Sequence, residues 1–240
     1  MIDKSKGVCY NMAKKNVRNF TREEKIAKIE DFSLRSNEIC ANNNNRKLGK
    51  ACISVPFPVC VCNSEAPCFQ KCYAQHGCQG FANVQGAYYR NLRLYNNSAD
   101  DFFEQLYYKV KFSGLPMVRF FDSGDFPDME FLVRSVAFVK KFPNVKFMAF
   151  TKKYDLVNEY LDNGGKLPDN YNIFFSAWDK FWEVPNPHNL PIAYVKFKDA
   201  RMTPDIPKNA FHCPGRESTC SACAVCWNKK VRAVYFDEHN

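Results

Sequence analysis

Nine of the twelve cysteines stand in two short stretches near opposite ends of the chain: Cys60, Cys62, Cys68, Cys72 and Cys78, then Cys213, Cys220, Cys223 and Cys226. Thiolates so spaced bind soft metal, because short loops can turn three or four sulfurs onto one centre. Cys62, Cys68 and Cys72 read C-x5-C-x3-C. Three thiolates on one loop can hold three irons of a 4Fe–4S cubane and leave the fourth open to a ligand, which makes a cluster reactive. If Cys60 or Cys78 supplies a fourth sulfur, the site is closed and structural, whether the metal is zinc or iron. Cys213, Cys220, Cys223 and Cys226 read C-x6-C-x2-C-x2-C. That is nearer to ferredoxin-type ligation of a second cluster than to the paired C-x2-C of zinc ribbons, with zinc as the alternative. Trp227, beside the last ligand, is expected to shield the site from water. Cys9, Cys40 and Cys52 stand alone and are read as ordinary small residues. His76 lies within the first stretch, as a substitute ligand or a solvent-facing residue.

Regular elements must carry these loops. A helix is expected over 21–36, with Thr21 as its cap, and a buried strand over 51–55 that is stopped by Pro56 and Pro58. Helices follow over 81–95 and 102–112, with Ser98 capping the second, then a strand at 117–121 and a helix opened by Pro127. Further strands are expected at 145–150, 173–175, 192–197 and 210–211, with a helix at 154–161. Strands alternating with helices point to parallel crossover units. The fold class is therefore α/β: a partial β/α barrel or open sheet of about six mostly parallel strands, followed by a cysteine-rich metal segment. In domain terms, 1–45 form a basic, partly disordered or helical arm, 46–212 the core with its cysteine loop, and 213–240 the four-cysteine segment.

This order has a consequence for chemistry. The first strand runs into the cysteine loop, the second into Asp122-Ser123-Gly124-Asp125, the third into Thr151-Lys152, and the fourth into Ser176, Trp178 and Asp179. In α/β folds that carboxyl edge is where sites are built. Gly124 would let backbone approach a ligand and Asp125 could accept from an ammonium; equally, the segment is a plain turn into a helix capped by Asp125 or Asp128. Lys152 could meet a carboxylate or phosphate and Trp178 could stack on a ring, or each could be a surface or packing residue.

Composition bounds the remainder. The chain has 240 residues, 46% hydrophobic, enough for one sizeable core. It has no apolar run of membrane-spanning length and no secretory signal, so a cytoplasmic protein with reduced thiols is expected. The formal charge is +9, and residues 1–50 contribute twelve Lys/Arg against six Asp/Glu. That arm is either a solvated surface or a nucleic-acid footprint. The chain lacks G-x-S-x-G, G-x-x-x-x-G-K and H-E-x-x-H, which removes three common enzyme classes.

With C-x5-C-x3-CYA, the SGD at 123–125, the FSAWD at 175–179 and the closing C-x6-C-x2-C-x2-CW in order, the chain resembles the phage and bacterial gene product 88 family over roughly 45–239. That family has no established activity; a phage origin would place the protein in host cytoplasm. A looser resemblance is to radical S-adenosylmethionine (SAM) enzymes. It implies an open cluster on Cys62, Cys68 and Cys72, the SAM amino group at Ser123 to Asp125, the ribose near Ser176, and an auxiliary cluster on the C-terminal four cysteines. It also implies an electron donor, reductive cleavage of SAM and hydrogen abstraction from a substrate. The usual loop of such enzymes is C-x3-C-x2-C with an aromatic before the last cysteine, whereas here both intervals are longer and Tyr73 follows. The alternative is a zinc-stabilised nucleic-acid-binding or interaction protein without catalysis.

Overall fold

Strands that are apolar on both faces pack between two layers, and here they build one all-parallel sheet. The computed structural model describes residues 21–238. The strands are β1 (Cys52–Val55), β2 (Met117–Phe120), β3 (Lys146–Thr151), β4 (Tyr171–Ser176), β5 (Ile192–Lys196), β6 (Phe211–His212) and β7 (Ala233–Asp237). Their spatial order is β1-β2-β3-β4-β5-β7-β6, open at both edges, which is a partial barrel-like α/β fold. The helices are α1 (Arg22–Leu34), α2 (Ala82–Asn97), α3 (Ala99–Ser113), α4 (Met129–Lys140), α5 (Tyr154–Asp162) and the single turn α6 (Cys220–Cys223). Among the described residues no helix is long and apolar enough to cross a membrane.

Two differences from the sequence expectation have physical causes. Strand β7 is an additional member, inserted between β5 and β6; its short run directly follows the cysteine stretch and carries little periodic signal. Helix α4 starts at Met129, not at Pro127, because the Asp128 carboxylate accepts from Phe131 N at 2.8 Å and so becomes the N-cap. Thr21 and Ser98 cap α1 and α3 as expected.

Side chains alternate across the sheet with period two. One face, with Ile53, Val55, Val118, Phe120, Phe147, Ala149, Tyr171, Ile173 and Phe175, packs against Phe102, Leu106, Phe131, Leu132 and Val157 of the helices. The opposite face carries Cys52, Met148, Phe174, Ala193 and Val234, and is covered by Leu48, Trp227 and the half-buried Cys220 and Cys226. The C-terminal cysteine segment is thus a second layer on the sheet. It is pinned by Trp227 Nε1 donating to Val118 O at 3.1 Å and Asn172 Nδ2 donating to Cys226 O at 2.9 Å.

Candidate functional site at the carboxyl edge

Because β1 to β4 are parallel neighbours, the loops leaving them share one rim. Residues 59–80 after β1 wind through four short 3-10 turns. Gln85 Nε2 ties this loop to α2 by donating to Ala74 O at 2.9 Å and Gln79 O at 2.8 Å. Tyr73 OH, two-ended like many half-exposed tyrosines, donates to Asp122 O at 2.6 Å, and Phe57 N donates to Ser123 O at 2.8 Å. The cysteine loop and the loop after β2 are therefore bolted together by backbone acceptors.

Gly124 is required by that junction. Its φ is +84°, and a Cβ there would sit 2.6 Å from Phe57 O and 2.7 Å from Phe57 Cβ. The preceding Phe121 also takes a positive φ of 61°, a conformation costly for a bulky residue, and is held by Phe121 N donating to Val55 O at 3.0 Å. The turn into a helix capped by Asp128 is what the structure shows here, and the backbone that Gly124 approaches is that of Phe57.

Asp125 organises the rim. Its Oδ1 accepts from Phe126 N at 2.8 Å and Thr151 Oγ1 at 2.6 Å, and its Oδ2 accepts from Lys152 N at 2.8 Å. Burial nevertheless pushes its pKa up, outweighing those three donors and the Lys153 charge. Lys152 Nζ donates to Ser176 Oγ at 2.8 Å and stands 5.7 Å from the Trp178 ring centroid. Tyr154 OH donates to Ser176 O at 2.6 Å. A continuous chain thus links Asp125, Thr151, Lys152 and Ser176, ending at Trp178. Ser123 is buried next to it with no partner for Oγ among the described residues. Asp179 is not part of this chain; its Oδ1 accepts from Phe181 N at 2.9 Å and closes a local turn.

Among the described residues no cysteine forms a disulfide. Burial drives the Cys62 thiol well above its ordinary pKa, Asp125, Cys72 and Cys68 add to the rise as like charges, and Lys152 opposes it. Cys72 is likewise raised by burial and by Cys68, with Lys152 opposing. Cys62, Cys68 and Cys72 therefore share one electrostatic neighbourhood with Asp125 and Lys152, whereas Cys78 is exposed. At the other site, burial pushes Cys226 up to about 12, reinforced by Cys220, Cys213 and Cys223 and opposed by Arg119. Cys220 is raised too, chiefly by burial. That segment docks on residues 47–49: Cys220 N donates to Lys47 O at 2.8 Å, Ser221 N to Leu48 O at 2.9 Å, and Lys47 Nζ to Ser218 O at 2.7 Å and to Gly215 O.

Among the described residues no group of three or more His, Cys, Asp or Glu could hold a metal ion as it stands. A single zinc needs its sulfurs about 4 Å apart, whereas a cubane binds each thiolate to a different iron and spreads them further. Two sets of unpaired, mutually interacting thiols, each facing a compensating cation, suit the donor chemistry of such a cluster. By donor type the residues suit the group.

Sequence reasoning missed Arg119, Tyr154 and the 45–49 segment. Arg119 did leave a signal, as a lone charge inside the apolar run MVRFF. Tyr154 and Lys47 left none, because helix-start tyrosines and loop lysines are common. Cys9 and residues 1–20 of the basic arm, with any nucleic-acid footprint there, lie outside the described residues. His76 is half-buried, while His188 and His212 pair with Asp162 at 2.8 Å and Asp237 at 2.9 Å.

No curated protein and no solved structure matches the chain. The family model for gene product 88 matches residues 13–229, a span that takes in both cysteine sets and the whole rim. The chain therefore belongs to the gene product 88 family.

Proposed function

We propose that this chain is an iron–sulfur protein with radical SAM-like activity, its open cluster on Cys62, Cys68 and Cys72 and a closed one on Cys213, Cys220, Cys223 and Cys226. The observation that carries the proposal is the hydrogen-bonded chain Asp125–Thr151–Lys152–Ser176 standing in the same electrostatic neighbourhood as the three-cysteine loop. A cluster bound there would offer one iron to SAM and supply the electron for its cleavage.

The chain's own groups supply positioning. Asp125 accepts three hydrogen bonds, so one acceptor site of its carboxylate is left for an ammonium group. Lys152 spends one N–H on Ser176 and has two more for a carboxylate or hydroxyl. Tyr154 fixes the Ser176 carbonyl, which keeps the neighbouring hydroxyl on the rim. Trp178 offers a ring face for stacking, and its edge contact with Phe197, 5.4 Å between centroids, sets the plane. The apolar wall of Phe57, Phe121 and Phe126 below the rim keeps water from that side.

The test is SAM cleavage by anaerobically purified protein under dithionite. 5′-Deoxyadenosine should form with the natural sequence and fall at least tenfold in Asp125→Asn at unchanged iron content. A brown protein that never yields 5′-deoxyadenosine would end the enzyme proposal while leaving the clusters standing.

A further inference from the structure

Arg119 lies on the strand between the two cysteine sets, its guanidinium enclosed in protein. Strand β2 alternates, so Val118 and Phe120 face the helices and Arg119 faces the C-terminal segment. Its register partners are Ser54 on β1 and Met148 on β3. Its guanidinium carbon stands 5.1 Å from the Phe150 ring centroid, and Phe150 belongs to the same packed patch as Cys220 and Cys226. The Trp227 hydrogen bond holds the Cys226 turn against β2 at Val118, the residue next to Arg119, and Asn172 ties the same turn to β4.

Among the described residues the guanidinium makes no ion pair, and Nε is closed off from solvent without a partner. Ser54 Oγ, on the neighbouring strand, is buried and unpartnered as well, so it does not discharge the patch. The groups that influence this guanidinium are Asp122 and Tyr73 on the rim side, and Cys220 and Cys226 on the other. Asp122, held by Asn45 at 2.8 Å, answers it from the rim side, while on the side of the C-terminal segment the groups that reach it are Cys220 and Cys226. A charge enclosed in protein is retained only where an anion answers it. On the side of the C-terminal segment neutral thiols add nothing to that answer, whereas thiolates bound to metal do.

We infer that Arg119 is the fixed counter-charge of the C-terminal centre, which makes that centre an anionic iron–sulfur cluster whose reduction the guanidinium favours. The inference rests on the iron–sulfur reading above. Reduction adds one electron to a cluster that four thiolates make dianionic, and a neighbouring cation lowers the cost of the added negative charge.

The experiment is an EPR-monitored dithionite titration of the full chain, with a Cys68→Ser variant identifying which signal belongs to the C-terminal centre. Iron and sulfide are measured first; protein without iron overturns the function proposed above and this inference together. With iron present, Arg119→Gln should lower the ratio of reduced to oxidised C-terminal centre at fixed potential about tenfold, a shift of about 59 mV for one electron. Arg119→Lys keeps the charge and should change that ratio less than threefold. Asp122→Asn removes an opposing charge and should move the ratio upward, which serves if Arg119→Gln fails to fold. Full iron with no shift in Arg119→Gln, or a shift of equal size in Arg119→Lys, or a downward shift in Asp122→Asn, would overturn the inference and leave the iron–sulfur reading intact.

Discussion

Replacing Gly124 by alanine separates what this glycine does for the backbone from what it does for packing. At φ +84° an alanine pays about 1–2 kcal/mol for the left-handed conformation. The new Cβ would also meet Phe57 O at 2.6 Å and Phe57 C at 2.8 Å. Neither atom can retreat cheaply, because Phe57 N is bonded to Ser123 O and its fully buried ring packs on Tyr95, Phe102, Phe121 and Phe131. Overpacking of this kind costs about 1–3 kcal/mol, so the total is about 2–5 kcal/mol. Gly114 is the internal control: its φ is +63°, with open space where a Cβ would stand. Gly114→Ala should therefore cost only the conformational part, about 1–2 kcal/mol. Urea unfolding, read at unchanged m-value, measures both. Equal losses in the two variants, or a Gly124→Ala loss below about 0.5 kcal/mol, would refute the argument that Gly124 exists to seat Phe57 under the rim.

Other expectations follow from single contacts. Asp128→Ala removes the α4 cap and strands the Tyr95 hydroxyl, which donates to Asp128 Oδ1 at 2.6 Å; a loss of about 2–4 kcal/mol is expected in the same unfolding assay. Asp125 has its pKa raised in the folded state, so its contribution is fully present below the unfolded value near 3.9 and is lost as pH rises through the folded one. The stability of the natural protein minus that of Asp125→Asn should therefore fall as pH rises above about 4, and a flat difference would contradict the direction of that shift. Lys152→Met removes the cation facing Cys62 and Cys72 and the donor to Ser176. Iron at the first site should then be lost to a chelator at least tenfold faster; unchanged release would remove Lys152 from the account.

Much of the fold was legible because its signals are local. Apolar runs of four to six residues punctuated by glycine and proline located most of the strands, and Thr21 and Ser98 announced their helices. The common rim followed from topology alone, since parallel neighbours must end on one edge. What stayed hidden depends on tertiary pairing. No pattern in the sequence says that Asp125 would reach Thr151 and Lys152, or that Asp179 would instead close its own turn. Strand β7 escaped because a five-residue run after a cysteine cluster reads as its continuation. Arg119 was visible as a misplaced charge, but its meaning needed the C-terminal segment folded onto the same face.

Iron and acid-labile sulfide per chain, determined on anaerobically purified protein and on Cys68→Ser, test the central claim most directly. Two cubanes predict about eight irons with matching sulfide in the natural sequence and about four in the variant. Colourless protein carrying only zinc, or a variant that loses all of its iron, would contradict two separate iron–sulfur centres.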